Sequence, residues 1–200
     1  MLPIQRKISA YNHYKGNDIK YIVIHYVGAT GTAKNNVDYF YGGDRQASAH
    51  YFVDDDSITM SVPDNYVAYA VGGAKWNDCS KTGGGKMYGK ITNTNSLSIE
   101  MCDTKKDGKI QATDKTIANT VDLVVAKLIK YNLKPSAVYR HFDVNGKHCP
   151  AYMMDSKSWN AFLNKVKAIL GEDVDLSEIT MEKFLSQTGI KLAGEMHNHQ

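Results

Sequence analysis

The run KYIVIHYVG, from Lys20 to Gly28, constrains the fold more than any other stretch. Its apolar residues are continuous rather than alternating, and several are β-branched. That is the pattern of a strand buried on both faces inside a sheet. Along an extended chain, side chains point alternately to opposite faces. Tyr21, Val23, His25 and Val27 therefore share one face, and Ile22, Ile24 and Tyr26 the other. One residue does not suit such a strand. His25 puts an imidazole into the most apolar segment, where burial is costly unless the ring is hydrogen-bonded or ligated.

The rest of the chain supplies partners for this strand. SAHYFV and SITMSV flank Asp54, Asp55 and Asp56 and read as a β-hairpin. SLSIEMC alternates cleanly: Leu97, Ile99 and Met101 face one way, and Ser96, Ser98, Glu100 and Cys102 the other. AVYRHF is a further short strand. A short helix is expected over Asn36 to Tyr41 and a long one over Asp114 to Leu133. In the long helix Ile117, Val121, Val124, Val125, Leu128 and Ile129 form an apolar stripe at helical spacing, and Lys134–Pro135 ends it. Asp155 or Ser156 caps a last helix whose inner face is Trp159, Phe162, Leu163, Val166 and Leu170, with Gly171 closing it. The six glycines between Gly72 and Gly89 make the region from Gly72 to Asn95 a long surface loop, a feature that in compact domains is often functional. The expected fold is α/β, a central mixed β-sheet flanked by α-helices, over residues 1–170. Residues 171–200 form an acidic tail with room for one short helix around Met181 to Gln187.

Composition excludes several classes. The 200 residues carry a formal charge of +3. The tail holds six carboxylates against Lys183 and Lys191, a balance of −4, which leaves +7 on the body. No Lys/Arg run exceeds two residues and no aromatic-basic motif occurs, so nucleic acid is not an expected partner. Gly83–Gly84–Gly85 lacks the GK[ST] ending of a phosphate loop. Three cysteines without paired spacing are no disulfide framework. The stretch from Met1 to Lys20 has no apolar run, so neither a secretory signal nor membrane insertion is expected. Thirteen tyrosines against five phenylalanines suit either half-buried strands or an amphipathic surface for a polar, extended ligand.

RHFDVNGKHCP is the densest chemical segment. His141 and Cys149 are eight residues apart, separated by a stretch containing Asn145–Gly146 that lets both side chains meet one ion. Zinc takes imidazole nitrogen and thiolate sulfur, and a catalytic zinc uses three protein ligands. His25, on a rigid strand, is the natural third. Alone it would be a hydrogen-bonded core residue; beside His141 and Cys149 the ligand reading is preferred. His148 adjoins Cys149 and is expected to point away. His50 reads first as structural, with substrate contact as its other role. Glu100, on the polar face of its strand, is a candidate general base, with a salt-bridged strand glutamate as the alternative.

The segments IVIHYVG, SAHYFVDDD, NSLSIEMC and RHFDVNGKHCP resemble, in order, the motifs of the zinc-dependent N-acetylmuramoyl-L-alanine amidases (the amidase-2 family, which includes phage lysozymes and the peptidoglycan recognition proteins). The resemblance spans about Tyr21 to Val166 and is nearest to endolysin-type members. It implies a zinc site at one edge of the sheet, held by His25, His141 and Cys149. Lys147 is implied as a cation for the reaction's oxyanion, and Glu100 as the base. The implied reaction is cleavage of the amide between N-acetylmuramic acid and L-alanine, in cell-wall peptidoglycan, by zinc-activated water. Two departures stand out. One branch has a tyrosine where this chain has Ala49, which puts more weight on Glu100. Many relatives have Trp-His where this chain has Tyr69–Ala70; Tyr69 remains a candidate for stacking on substrate. The remaining expectations are a monomer made in the cytoplasm and released to the wall at lysis, with a holin if phage-encoded. The tail is expected to be a linker, a docked helix or the start of a missing wall-binding module. A cytoplasmic muropeptide-recycling amidase and a non-catalytic peptidoglycan-binding module are the alternatives; the presence of Cys149 argues against the second.

Overall fold

The apolar run becomes strand β3 (Tyr21–Thr30), and it lies between two parallel partners. The computed structural model describes residues 1–106 and 108–171. Other strands of the main sheet are β1 (Ile4–Arg6), β4 (Tyr51–Val53), β5 (Ile58–Met60), β7 (Ser96–Lys106), β8 (Lys109–Gln111) and β9 (Val138–Arg140). Their order is β1-β5-β4-β7-β3-β9, with β8 folding back on β7. The hairpin β4–β5 and the pair β7–β8 are antiparallel, and the other pairings are parallel. The sheet is therefore mixed, as expected. A separate ribbon pairs β2 (His13–Lys15) with β6 (Tyr66–Ala68).

One face of the sheet carries the main core. Ile22, Ile24, Ile99 and Met101 pack there with Leu123, Val124 and Leu128 of α3 (Asp114–Lys130) and Phe162 and Val166 of α5 (Ser156–Leu170). Burying each such side chain contributes roughly 1.5–3 kcal/mol. The Asp155 carboxylate caps α5, accepting from Ser158 N–H at 2.8 Å. The opposite face is covered unevenly. Helix α1 (Ala33–Tyr41) packs Ala33 and Val37 against Ala49, Phe52 and Cys102. Val23, Val71, Ile91 and Val144 form a smaller cluster. Between the two clusters lies the polar side of β3 and β7.

Several boundaries differ from the sequence reading. α1 begins at Ala33, not Asn36, because Thr32 and Asn35 form a reciprocal cap: Asn35 N–H donates to the Thr32 hydroxyl at 3.1 Å and Thr32 N–H to the Asn35 side chain at 3.0 Å. α3 stops at Lys130, before the Lys-Pro signal. Asn132 adopts a left-handed φ of 51°, and Leu133 N–H returns to the Leu128 carbonyl at 2.8 Å, a turn that closes the helix. β7 continues to Lys106. The loop after Gly72 holds a short helix, α2 (Cys79–Thr82), and a single 3-10 turn at Asn93–Asn95. The helix expected at Met181 to Gln187 lies outside the described residues.

Candidate active site

β3 and β7 run parallel in register, so His25 and Glu100 are direct neighbours on one face. His25 Nδ1 lies 3.9 Å from Glu100 Oε1, close in charge but too far for a hydrogen bond. β9 pairs only with Ile22–Ile24. Beyond it, the edge of β3 is free, and the chain returns to fill it: Tyr26 N–H donates to Cys149 Sγ at 3.4 Å. The cluster thus sits at one edge of the sheet, where β9 ends.

His141 comes directly after β9, and it opens a helix rather than a loop. His141–Asn145 forms a single helical turn, α4. Arg140 pins that turn. Its guanidinium grips Asp143 with two hydrogen bonds, of 2.9 and 2.6 Å, and donates to the carbonyls of Met153 and Met154 at 2.7 Å. Gly146 then reverses the chain at a left-handed φ of 91°, and Phe142 N–H donates to the Cys149 carbonyl at 2.9 Å. The Gly72–Asn95 loop clasps this segment from outside. Trp76, Gly85 and Met87 N–H groups donate to the carbonyls of Asn145, Phe142 and Asp143 at 2.8 to 2.9 Å. A Cβ on Gly84 would meet the Phe142 ring at 2.7 Å, so glycine is needed there for close approach.

The result is a convergence of three distant residues. The His25 and His141 rings meet edge to face, with centroids 4.7 Å apart. The ligand atoms of His25, His141 and Cys149 all lie within 4.8 Å of one another, and all three residues are buried. His25 Nε2, both ring nitrogens of His141 and Glu100 Oε2 have no hydrogen-bond partner. Buried polar atoms left bare are costly, and four in one place suit a cation. Burial, reinforced by the neighbouring charges of His141 and Lys147, holds the His25 pKa well below its usual range. Burial and Lys147 bring His141 to about 3. Both rings are therefore neutral at pH 7, the form that ligates metal. Burial also pushes the Cys149 thiol well up, so a compensating positive charge is what would make it a thiolate. Two imidazoles and one thiolate fit a zinc ion with an open position.

Glu100 stands beside this trio. Burial pushes its carboxyl up to about 8, Lys147 acting against the shift and Asp103 with it. The exposed Lys147 reaches the site only through its charge; its backbone N–H is held by Asn145 Oδ1 at 3.0 Å. His148 points outward, as expected, to Asp78 Oδ2 at 3.0 Å. His50 is buried, and both its nitrogens are occupied: Ser98 N–H donates to Nδ1 at 3.0 Å, which leaves Nε2–H for the Tyr66 carbonyl at 2.9 Å. This geometry favours the structural role for His50 over substrate contact. Tyr69 is exposed, tied by its backbone to Ser48 and edge-on to Tyr14 at 6.1 Å. Ala49 is packed under α1, with no polar group to offer.

Sequence reasoning did not single out Arg140, Trp76 or Asp78. Arg140 carried a usable signal in Asp143, its partner three residues on; the other two are placed only by the loop's fold. Among the described residues all three cysteines are free, and no helix is long and apolar enough to cross a membrane.

The family model described as N-acetylmuramoyl-L-alanine amidase matches residues 15–152. The N-acetylmuramoyl-L-alanine amidase CwlL of Bacillus licheniformis is 36% identical over 160 residues, 76% of this chain and 42% of CwlL. BlyA of Bacillus subtilis, also an N-acetylmuramoyl-L-alanine amidase, is 35% identical over 75% of this chain and 41% of its own length. The chain spans about half the length of the curated relatives it matches. Among solved structures, the PlyG catalytic domain is 28% identical with a TM-score of 0.67, covering 84% of this chain and 94% of that one. PlyL is 27% identical with a TM-score of 0.66, covering 82% and 97%.

Proposed function

From its membership of the N-acetylmuramoyl-L-alanine amidase family, to which the chain belongs, we propose that this protein hydrolyses the amide joining N-acetylmuramic acid to L-alanine in peptidoglycan. The observation that carries the reading is the convergence of His25, His141 and Cys149, with bare imidazole nitrogens, next to Glu100. A cofactor fits there by the chemistry of its donors. His25, His141 and Cys149 would hold zinc, which when bound lowers the pKa of a water toward neutrality and polarises the scissile carbonyl.

The chain's own residues do the rest. Glu100 takes a proton from the attacking water and returns one to the leaving amine nitrogen of L-alanine; its place beside the donors, with Oε1 3.9 Å from His25 Nδ1, suits both transfers. Lys147 places a positive charge near the carbonyl oxygen as it becomes an oxyanion. The wall behind His25 and Glu100 is the apolar sheet, which keeps bulk water from that side. Residues 1–170 form the catalytic domain in this reading, and residues 171–200 are an acidic tail, serving as a linker, a short helix or part of a wall-binding module. The protein acts as a monomer on the walls of Gram-positive bacteria, reaching them after release from the cell in which it is made.

Mass spectrometry of digested walls tests the assignment. New L-alanyl amino termini with intact glycan strands are expected. New reducing sugar ends, or cuts within the stem peptide, would refute it. Hydrolysis of soluble anhydro-muropeptides but not of intact walls would point instead to the recycling amidase.

A further inference from the structure

The loop that clasps the His141–Cys149 segment also presents an aromatic ring to solvent. Trp76 is 43% exposed, whereas the chain's other tryptophan, Trp159, is buried. The Trp76 ring is held in place from two directions. Its backbone N–H donates to the Asn145 carbonyl at 2.8 Å. Its indole leans on the His148 imidazole, with centroids 5.2 Å apart and planes inclined by 34°. His148 is in turn paired with Asp78 Oδ2 at 3.0 Å, and both side chains are partly exposed. An open recess of about 550 Å³ lies at the ring, lined by Ala74, Lys75, Trp76, Asn77 and Asp78. His148 directly precedes Cys149, so the ring rests on the segment that carries two of the three donors.

A rigid, half-exposed indole rimmed by an amide, a carboxylate and an ammonium is matched to one kind of ligand. A pyranose ring has an apolar C–H face that covers the indole, and hydroxyl and acetamido groups at its edge for the polar rim. A peptide stem fits less well. Its free carboxylates would meet Asp78 as readily as Lys75. We propose that Trp76, with Asn77 and Asp78 at its rim, is a subsite for an N-acetylated amino-sugar of the glycan strand next to the cleaved bond. The assignment rests on the amidase reading for its substrate. The subsite determines affinity and strand preference, and takes no part in bond cleavage.

The protein supplies its own probe, because Trp76 is the exposed tryptophan of two. Titration with the tetramer of N-acetylglucosamine should give a saturable blue shift of tryptophan emission, and the free stem peptide should give none. Calorimetry with the same tetramer should show binding weakened at least tenfold in Trp76→Ala and partly restored in Trp76→Phe, which keeps a ring and the Cβ packed at Gly146. On walls, Trp76→Ala should raise KM about tenfold and leave kcat near the wild-type value. No spectral response to the tetramer together with an unchanged KM in Trp76→Ala would overturn the subsite. So would a blue shift with the stem peptide alone. If the wild-type protein cleaved no muramoyl amide, the amidase reading would fall, and the fluorescence and calorimetry would still decide the sugar subsite.

Discussion

Gly146 is the point where the site's geometry depends most on a single missing atom. It sits at φ 91°, between His141 and Cys149. A Cβ there would lie 2.2 Å from Cys79 Sγ and 3.2 Å from Trp76 Cβ. Gly146→Ala therefore incurs two penalties. The left-handed backbone costs about 1–2 kcal/mol for a residue with a side chain. Forcing a methyl against the buried Cys79 adds roughly 1–3 kcal/mol. The sum, about 2–5 kcal/mol, is a large part of a typical domain's stability. The two penalties can be separated. In a Cys79→Ala background the sulfur is gone and the remaining Cys79 Cβ lies at 3.8 Å, ordinary contact. Gly146→Ala should then cost the backbone part and the smaller crowding against Trp76 Cβ at 3.2 Å. Urea unfolding of wild type, both single variants and the double variant, at fixed zinc concentration, gives the coupling energy, expected at roughly 1–3 kcal/mol. Equal costs of Gly146→Ala in the two backgrounds would refute the steric argument.

Cys149→Ser and His25→Ala should each abolish zinc retention, measured by elemental analysis, together with wall hydrolysis. Both should also lower the unfolding midpoint, because bound metal stabilises the native state by linkage. Glu100→Gln should keep zinc and lose turnover by about 100-fold or more, the range for a general base; near-full hydrolysis would remove Glu100 from the mechanism. Away from the site, Asp64 is buried with Lys127 Nζ at 2.7 Å and the Tyr51 and Tyr131 hydroxyls at 2.5 and 2.6 Å. Lys127→Met should destabilise by about 3–5 kcal/mol, as expected when one partner of a buried pair is removed. The same network sets an acid limit. Burial raises the Asp64 carboxyl, but Lys127 and three hydrogen bonds outweigh it and hold the pKa well below the usual 3.8. Below about pH 4 the unfolded chain takes up a proton that the native state refuses. Stability should therefore fall as pH drops from there, and the fall should be shallower in Asp64→Asn.

What the sequence disclosed depended on how local its cause was. β3, the β4–β5 hairpin, α3 and α5 were legible because periodicity and caps are written in neighbouring residues. His25 and Glu100 stood out as polar groups on apolar strands, and the structure brings both beside His141 and Cys149. The three-residue strands β1, β2, β6 and β8 have too few positions for a pattern; β1, β2 and β6 exist only through partners far along the chain, and β8 only by folding back on the end of β7. α1 begins three residues before its expected start because Asn35, a residue that disfavours helix interiors, serves as half of a cap with Thr32. His50 remained ambiguous because nothing nearby reveals that Ser98 and Tyr66 occupy its two nitrogens. Arg140 was legible only in part: its grip on Asp143 is local, but its hold on the Met153 and Met154 carbonyls is not.

X-ray absorption at the zinc edge of the purified protein bears most directly on the three-residue metal centre. A first shell of one sulfur at about 2.3 Å and two imidazole nitrogens at about 2.0–2.1 Å, completed by a light atom from solvent, is the predicted result. A shell of oxygen alone, of several sulfurs, or an unchanged spectrum in Cys149→Ser would contradict it.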